Sequence, residues 1–180
     1  MADITPARSN IQSEAVAYKA AVSEATFTTI GAAVNFINLK QYDQKAFFIN
    51  GPYSIVSGAQ TEIDGAIAIL FDCEIVGVMM YNMVAGSSGT TTLDINRWTA
   101  SNTGGTSIFS TRPSITSAAG NKAFVFRDVL NSTTLENPAG TTVPVLSVTQ
   151  LNAGDMLTCD IDAKQTGGEN CGVILMIRPR

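Results

Sequence analysis

The sequence predicts an antiparallel β-sandwich, on three observations. From Ala46 onward, apolar or alternating segments are punctuated at short intervals by turn formers: Asn50-Gly51-Pro52, Asp64-Gly65, Gly104-Gly105, Pro138-Ala139-Gly140 and Gly154-Asp155 among them. Two segments alternate with the period of two that a half-buried strand shows. In one, Thr92, Asp94 and Asn96 alternate with Thr91, Leu93 and Ile95; in the other, Leu157, Cys159, Ile161 and Ala163 alternate with Thr158, Asp160 and Asp162. No alternating β-α-β pattern is present, which counts against a doubly wound nucleotide fold.

Taken in order, residues 1–60 read as an N-terminal arm and attachment region, and 61–180 as the sandwich. Thr5-Pro6 is suited to cap and open a short helix, and Ser23 to cap a second. Phe27, Ile30, Val34 and Ile37 then fall near one helical face, although Thr28, Thr29 and Gly31 leave an extended arm open. This apolar stripe packs either on the chain's own body or on a neighbouring subunit or larger surface. Strands are expected at 46–49, 53–56, 66–71, 74–82, 90–97, 107–110, 122–127, 143–150, 156–163 and 172–178. Residues 75–81 and 172–177 are apolar on both faces. Such an antiparallel strand is covered on both sides, by the N-terminal segment, a long loop or another subunit.

Composition narrows the function. Hydrophobic residues make up 45% and charged residues 14% of the 180, a globular chain short of the charge that covers a free monomer. Residues 1–60 hold four basic and four acidic side chains and 61–180 hold seven and eleven, so the arm is neutral and the body acidic. No run of Lys and Arg exists to displace counterions from phosphates, and no nucleic-acid partner is expected. The longest apolar stretch, 66–84, is interrupted by Asp72 and Glu74, so no membrane span is expected either. The opening MADITPARSN has no basic region followed by an apolar one, and synthesis in a cytoplasm is expected. Cys73, Cys159 and Cys171 match neither a disulfide framework nor a zinc pattern and read as buried thiols.

The chain has no histidine, which removes Ser-His-Asp and Cys-His nucleophiles, most catalytic zinc sites and the usual acid/base at neutral pH. Asp160 and Asp162 have the residue type of paired glycosidase carboxylates or calcium ligands. Their spacing, however, puts both on the solvent face of one strand, where hydration accounts for them; Asp94 and Asn96 repeat the pattern. Gly86-Ser87-Ser88-Gly89 lacks the following Lys and the helix start of a phosphate loop and reads as a strand connection. Trp98, the only tryptophan, is either a core or interface residue or a platform on which a sugar stacks. No catalytic residues, metal or cofactor are expected, and the chain is read as not an enzyme.

Three segments carry a resemblance: VAGSSGTTTLDINRW with GTSIFSTRPSI (84–98 and 105–115), LNAGDMLTCDIDAKQTG (151–167) and the closing GVILMI (172–177). Together they resemble a β-sandwich module of structural proteins of tailed bacteriophages, in which a Gly/Ser turn precedes a T-x-x-D-I strand, a G-T-S-I-F-S-T-x-P segment follows, and an A-G-D turn opens an Asp- and Ile-rich strand. The resemblance covers roughly 74–177 and leaves residues 1–60 out. It implies a jelly-roll-like module, trimeric on the virion exterior, with no active site. Two roles follow as expectations. The first is a capsid decoration or cement protein that grips the major capsid protein or another virion protein through its arm. The second is a tail-fibre or spike tip that recognises a host surface glycan, with Trp98 and Asp94 as contacts; no repeat or heptad supplies a fibre shaft.

Overall fold

The computed structural model describes residues 43–52, 60–101, 104–130, 134–135 and 139–180. Phe27, Ile30, Val34 and Ile37, the expected helices and the strand at 53–56 lie outside the described residues. From Tyr42 to Arg180 the chain forms one compact unit.

Two antiparallel sheets make up that unit. In the first, the order is β1 (Asp43–Pro52), β14 (Glu169–Pro179), β3 (Cys73–Val84), β8 (Ala123–Asp128) and β9 (Thr134–Leu135), with β12 (Gln150–Leu151) paired to β3. In the second it is β10 (Thr141–Thr142), β7 (Ser114–Thr116), β4 (Thr90–Trp98), β13 (Met156–Ala163) and β2 (Gln60–Ala68), with β5 (Thr106–Ser107) paired to β4. A small pair joins β11 (Val145–Leu146) to β6 (Phe109–Thr111). Inward residues of the first sheet, such as Phe47, Val78, Met80, Val125, Val173 and Leu175, share one buried cluster with Leu93, Ile95, Ile115, Leu157 and Ile161 of the second. Cys73, Cys159 and Cys171 belong to the same cluster as buried thiols. Among the described residues no helix is long and apolar enough to cross a membrane.

Three local expectations are corrected. Asp64-Gly65 is not a turn but a bulge within β2: Ile63 pairs with Cys159 and Ala66 with Thr158, so two residues are inserted, and Gly65 takes the left-handed φ of 77° that the bulge needs. The strand expected at 66–71 therefore starts earlier, at Gln60, and stops at Ala68. The stretch 143–150 is no continuous strand; only Val145–Leu146 and the start of Gln150–Leu151 pair, because its backbone turns aside to Ile108, whose carbonyl accepts from Ser147 and Val148 N–H at 2.8 and 3.1 Å.

One polar group inside this apolar frame fixes an end of the sandwich. The side chain of Gln165, only 1% exposed, accepts from the Gly86 N–H at 2.6 Å and donates to the Ile115 carbonyl at 2.8 Å. Its own backbone N–H donates to Thr91 Oγ1 at 3.2 Å. Asn82, oriented to suit its neighbours, donates to the Glu169 and Val84 carbonyls and accepts from Gln165 Nε2, each at 3.2 Å. The Gly86-to-Gly89 connection is thereby tied to the turn that follows β13, and a Cβ at Gly86 would sit 2.4 Å from the Thr166 carbonyl oxygen.

Candidate functional site

The outward faces of the two sheets differ in kind. On the first, the register sets Phe48, Gly172, Tyr81 and Phe124 in one row across β1, β14, β3 and β8, and Ala46, Ile174, Met79 and Phe126 in the next. None of these eight belongs to the buried core cluster, as strand alternation requires of residues facing the other way. The two rows pack on each other's strands through glycine. Phe48 and Tyr81 rings approach to 6.5 Å, and a Cβ at the intervening Gly172 would lie 2.8 Å from the Tyr81 hydroxyl. Phe126 and Met176 close over Gly77 in the same way. Burial raises the Tyr81 phenol above its ordinary pKa, so it stays neutral on this face. Strands β3 and β14 are thus apolar on both faces, as their sequences require.

The second sheet's outer face is polar and concave. Asp94, Asn96 and Trp98 of β4 and Thr158, Asp160 and Asp162 of β13 line a cleft of about 390 Å³ with Gly105 and Arg112. Period-two alternation puts all six strand residues on one side, which the sequence made legible. The pairing was not legible: Asp94 lies directly opposite Asp160. Like charges in that position destabilise a sheet unless something intervenes.

Arg112, from the loop between β6 and β7, intervenes. Its Nε donates to Asp94 Oδ2 at 2.6 Å and lies 2.8 Å from Asp162 Oδ2. Ser107 Oγ donates to the other oxygen of Asp94 at 2.6 Å, and Asn96 Nδ2 donates to Asp160 Oδ2 at 2.6 Å. The hydrogen bond that Arg112 donates to Asp94 holds the guanidinium above its ordinary pKa. Burial pushes the Asp162 carboxyl up; Arg112 opposes this, and Asp94 and Asp160 add to it. Asp160 and Asp162 are therefore bonded parts of a cleft, not simply hydrated side chains as the spacing suggested.

Trp98 and Asp94, the two sugar-contact candidates, do share this cleft, in different roles. Asp94 is only 2% exposed and serves as the anchor for Arg112. Trp98 forms a wall. Its indole N–H donates to Thr158 Oγ1 at 3.0 Å, and the backbone of Gly105 runs so close that a Cβ there would sit 2.8 Å from the ring. Trp98 and Thr158 also line, with Gly65, Ala66 and Met156, an apolar depression of about 320 Å³. No periodic pattern marks Arg112 or Ser107, since neither lies in a segment of period-two alternation and both meet Asp94 only through the fold.

Asp155 of the A-G-D turn has a structural task. Its Oδ2 accepts from the Asn152 N–H at 2.7 Å and from Arg97 Nε at 2.8 Å. Among the described residues no His, Cys, Asp and Glu side chains converge in a group that could hold a metal ion. No protein-family model, no curated protein and no solved structure matches this chain.

Proposed function

We propose that this chain is a non-enzymatic structural protein of a tailed-bacteriophage virion: a jelly-roll sandwich that associates with copies of itself, as a trimer, and decorates the outside of the head. The observation that carries the reading is the outer face of the first sheet. Four strands at about 4.8 Å spacing and two outward rows about 6.8 Å apart give a footprint of roughly 260 Å², and a contiguous apolar patch of a few hundred Å² on a single copy is often functional. Its central residues, Met79, Tyr81, Ile174 and Phe126, are uncharged, so a second copy of the same face meets no unpaired charge there.

Strand order supports the jelly-roll part. Taking the eight principal strands in chain order as β1, β2, β3, β4, β7, β8, β13 and β14, the first sheet runs first-eighth-third-sixth and the second runs second-seventh-fourth-fifth. That is the order of two interlocked Greek keys, an architecture used by viral capsid and lectin domains alike. The fold alone chooses neither role. The decoration role and the trimer rest on the resemblance of the Gly/Ser-turn, G-T-S-I-F-S-T and A-G-D segments, and the residues ahead of β1, with Phe27, Ile30, Val34 and Ile37, would supply the grip on the capsid protein.

Light scattering on the purified chain tests the self-association. An oligomer that falls to the 18.9 kDa single-chain mass on Ile174→Glu, with its far-UV circular dichroism kept, supports it; an unchanged mass sinks it. Cryo-electron microscopy of the particle tests the address: many copies on the head fit a decoration protein, and a few copies at the tail favour the receptor-binding alternative, which the shared cleft of Trp98 and Asp94 keeps in view.

A further inference from the structure

We propose that the cleft on the outer face of the second sheet binds an uncharged polyhydroxylated ligand, a segment of neutral glycan, gripped by Arg112, Asp162 and Trp98. This concerns the second sheet and does not depend on what covers the first. The argument begins with Arg112. Its Nε is engaged by Asp94 and Asp162, while its two terminal nitrogens have no partner among the described residues, and its side chain is 47% exposed. A guanidinium held by two carboxylates is a fork already oriented, so its remaining N–H donors can bind without further loss of side-chain freedom.

The charge around that fork decides what it takes. Among the described lining residues, the carboxylates Asp94, Asp160 and Asp162 outnumber the Arg112 guanidinium. An incoming phosphate, sulfate or uronate would be repelled. A metal cation is no better suited, because Arg112 already stands between Asp94 and Asp162. Sugar hydroxyls fit, since each both donates and accepts: Arg112 offers donors, and the Asp162 carboxylate, 35% exposed, offers acceptors. Trp98 completes the set. Its indole, fixed by Thr158 and Gly105, lines both the polar cleft and the apolar depression at Ala66 and Met156, so it offers an apolar surface beside polar groups to a ring with one hydroxylated and one C–H face. The cleft volume of about 390 Å³ lies within the range of small-ligand sites.

As Trp98 is the only tryptophan, its fluorescence reports on the cleft directly. The full chain is titrated with maltohexaose and with chitohexaose as neutral probes and with oligogalacturonate as the acidic one. A saturable change with a neutral probe, none with the acidic one, and affinity about tenfold or more weaker in Asp162→Asn is the expected result, the loss of one charge-assisted hydrogen bond. Thermal melting of the variant verifies that it is folded. Flat titrations with both neutral probes, equal binding of the acidic probe, or wild-type affinity in Asp162→Asn each overturn the inference. If the oligomer persists while the titrations are flat, this inference falls and the structural reading stands.

Discussion

Replacing Gln165 with alanine removes the clamp at one end of the sandwich, and the structure sets the size of the effect. Three hydrogen bonds disappear, from the Gly86 N–H to Oε1 at 2.6 Å and from Nε2 to the Ile115 carbonyl at 2.8 Å and to the Asn82 side-chain oxygen at 3.2 Å, whereas the bond from the Gln165 backbone to Thr91 survives. The first two losses each strand a backbone group in a region where Gln165 itself is 1% exposed. A stranded buried polar group costs about 1–3 kcal/mol, so the pair gives roughly 2–6 kcal/mol before any void is counted. Water entering the space would satisfy part of this, which places the expected loss at about 3 kcal/mol. Urea unfolding at one fixed protomer concentration measures it, since the proposed self-association would make stability depend on concentration. Hydrogen exchange supplies a local readout: the Gly86 amide, slow in the parent, becomes one of the fast ones in Gln165→Ala. A loss below about 1 kcal/mol, or a Gly86 amide that remains protected, refutes the clamp.

Two further outcomes are expected. A thiol reagent should label none of Cys73, Cys159 and Cys171 in the native protein and all three in denaturant, because each is 0% exposed and burial pushes the Cys73 thiol above its ordinary pKa; rapid native labelling would contradict the core assignment. Asp162→Asn should raise the urea midpoint slightly at pH 7 and leave it unchanged near pH 3. The folded-state pKa of Asp162 is raised, so just above about pH 4 the native state holds a proton that the unfolded state has released, and stability falls as pH rises through that window. A variant less stable than the parent at pH 7 would show that the contact with Arg112 outweighs the desolvation.

Much of the sandwich was legible because strand faces are written locally. Alternation in 90–97 and 156–163 put Asp94, Asn96, Asp160 and Asp162 on one side, and 75–81 and 172–177 read as apolar on both faces, as the rows through Met79, Tyr81 and Ile174 are. Pairing is written elsewhere. That Asp94 would stand opposite Asp160 depends on the register of strands more than sixty residues apart, and that Arg112 would neutralise them depends on a loop with no periodic signal. Asp64-Gly65 carried the composition of a turn and became a bulge, since the left-handed glycine both conformations need does not distinguish them. Gln165 was passed over for a related reason: one glutamine after a strand looks like solvent-facing chain until the fold brings Gly86 and Ile115 to it.

The second sheet contains its own control for the cleft. Where β4 pairs with β7, the partners are Thr90 with Thr116 and Thr92 with Ser114, small neutral pairs that hold a polar face at no electrostatic cost. Along the same strand, where β4 pairs with β13, that economy is abandoned: two aspartates face each other, and a third lies within reach of the same arginine. Arg112, Ser107 and Asn96 then offset a repulsion that threonines would not have created. Stability alone therefore does not account for the carboxylates, and departures of this kind from the locally best choice collect where a protein does its work. The same reasoning applies to the first sheet, where Phe48, Tyr81, Ile174 and Phe126 stand outside the core although polar residues would serve a solvated face better. One sheet departs toward apolar surface and the other toward charge, a difference that fits the proposed association through the first and the proposed recognition by the second.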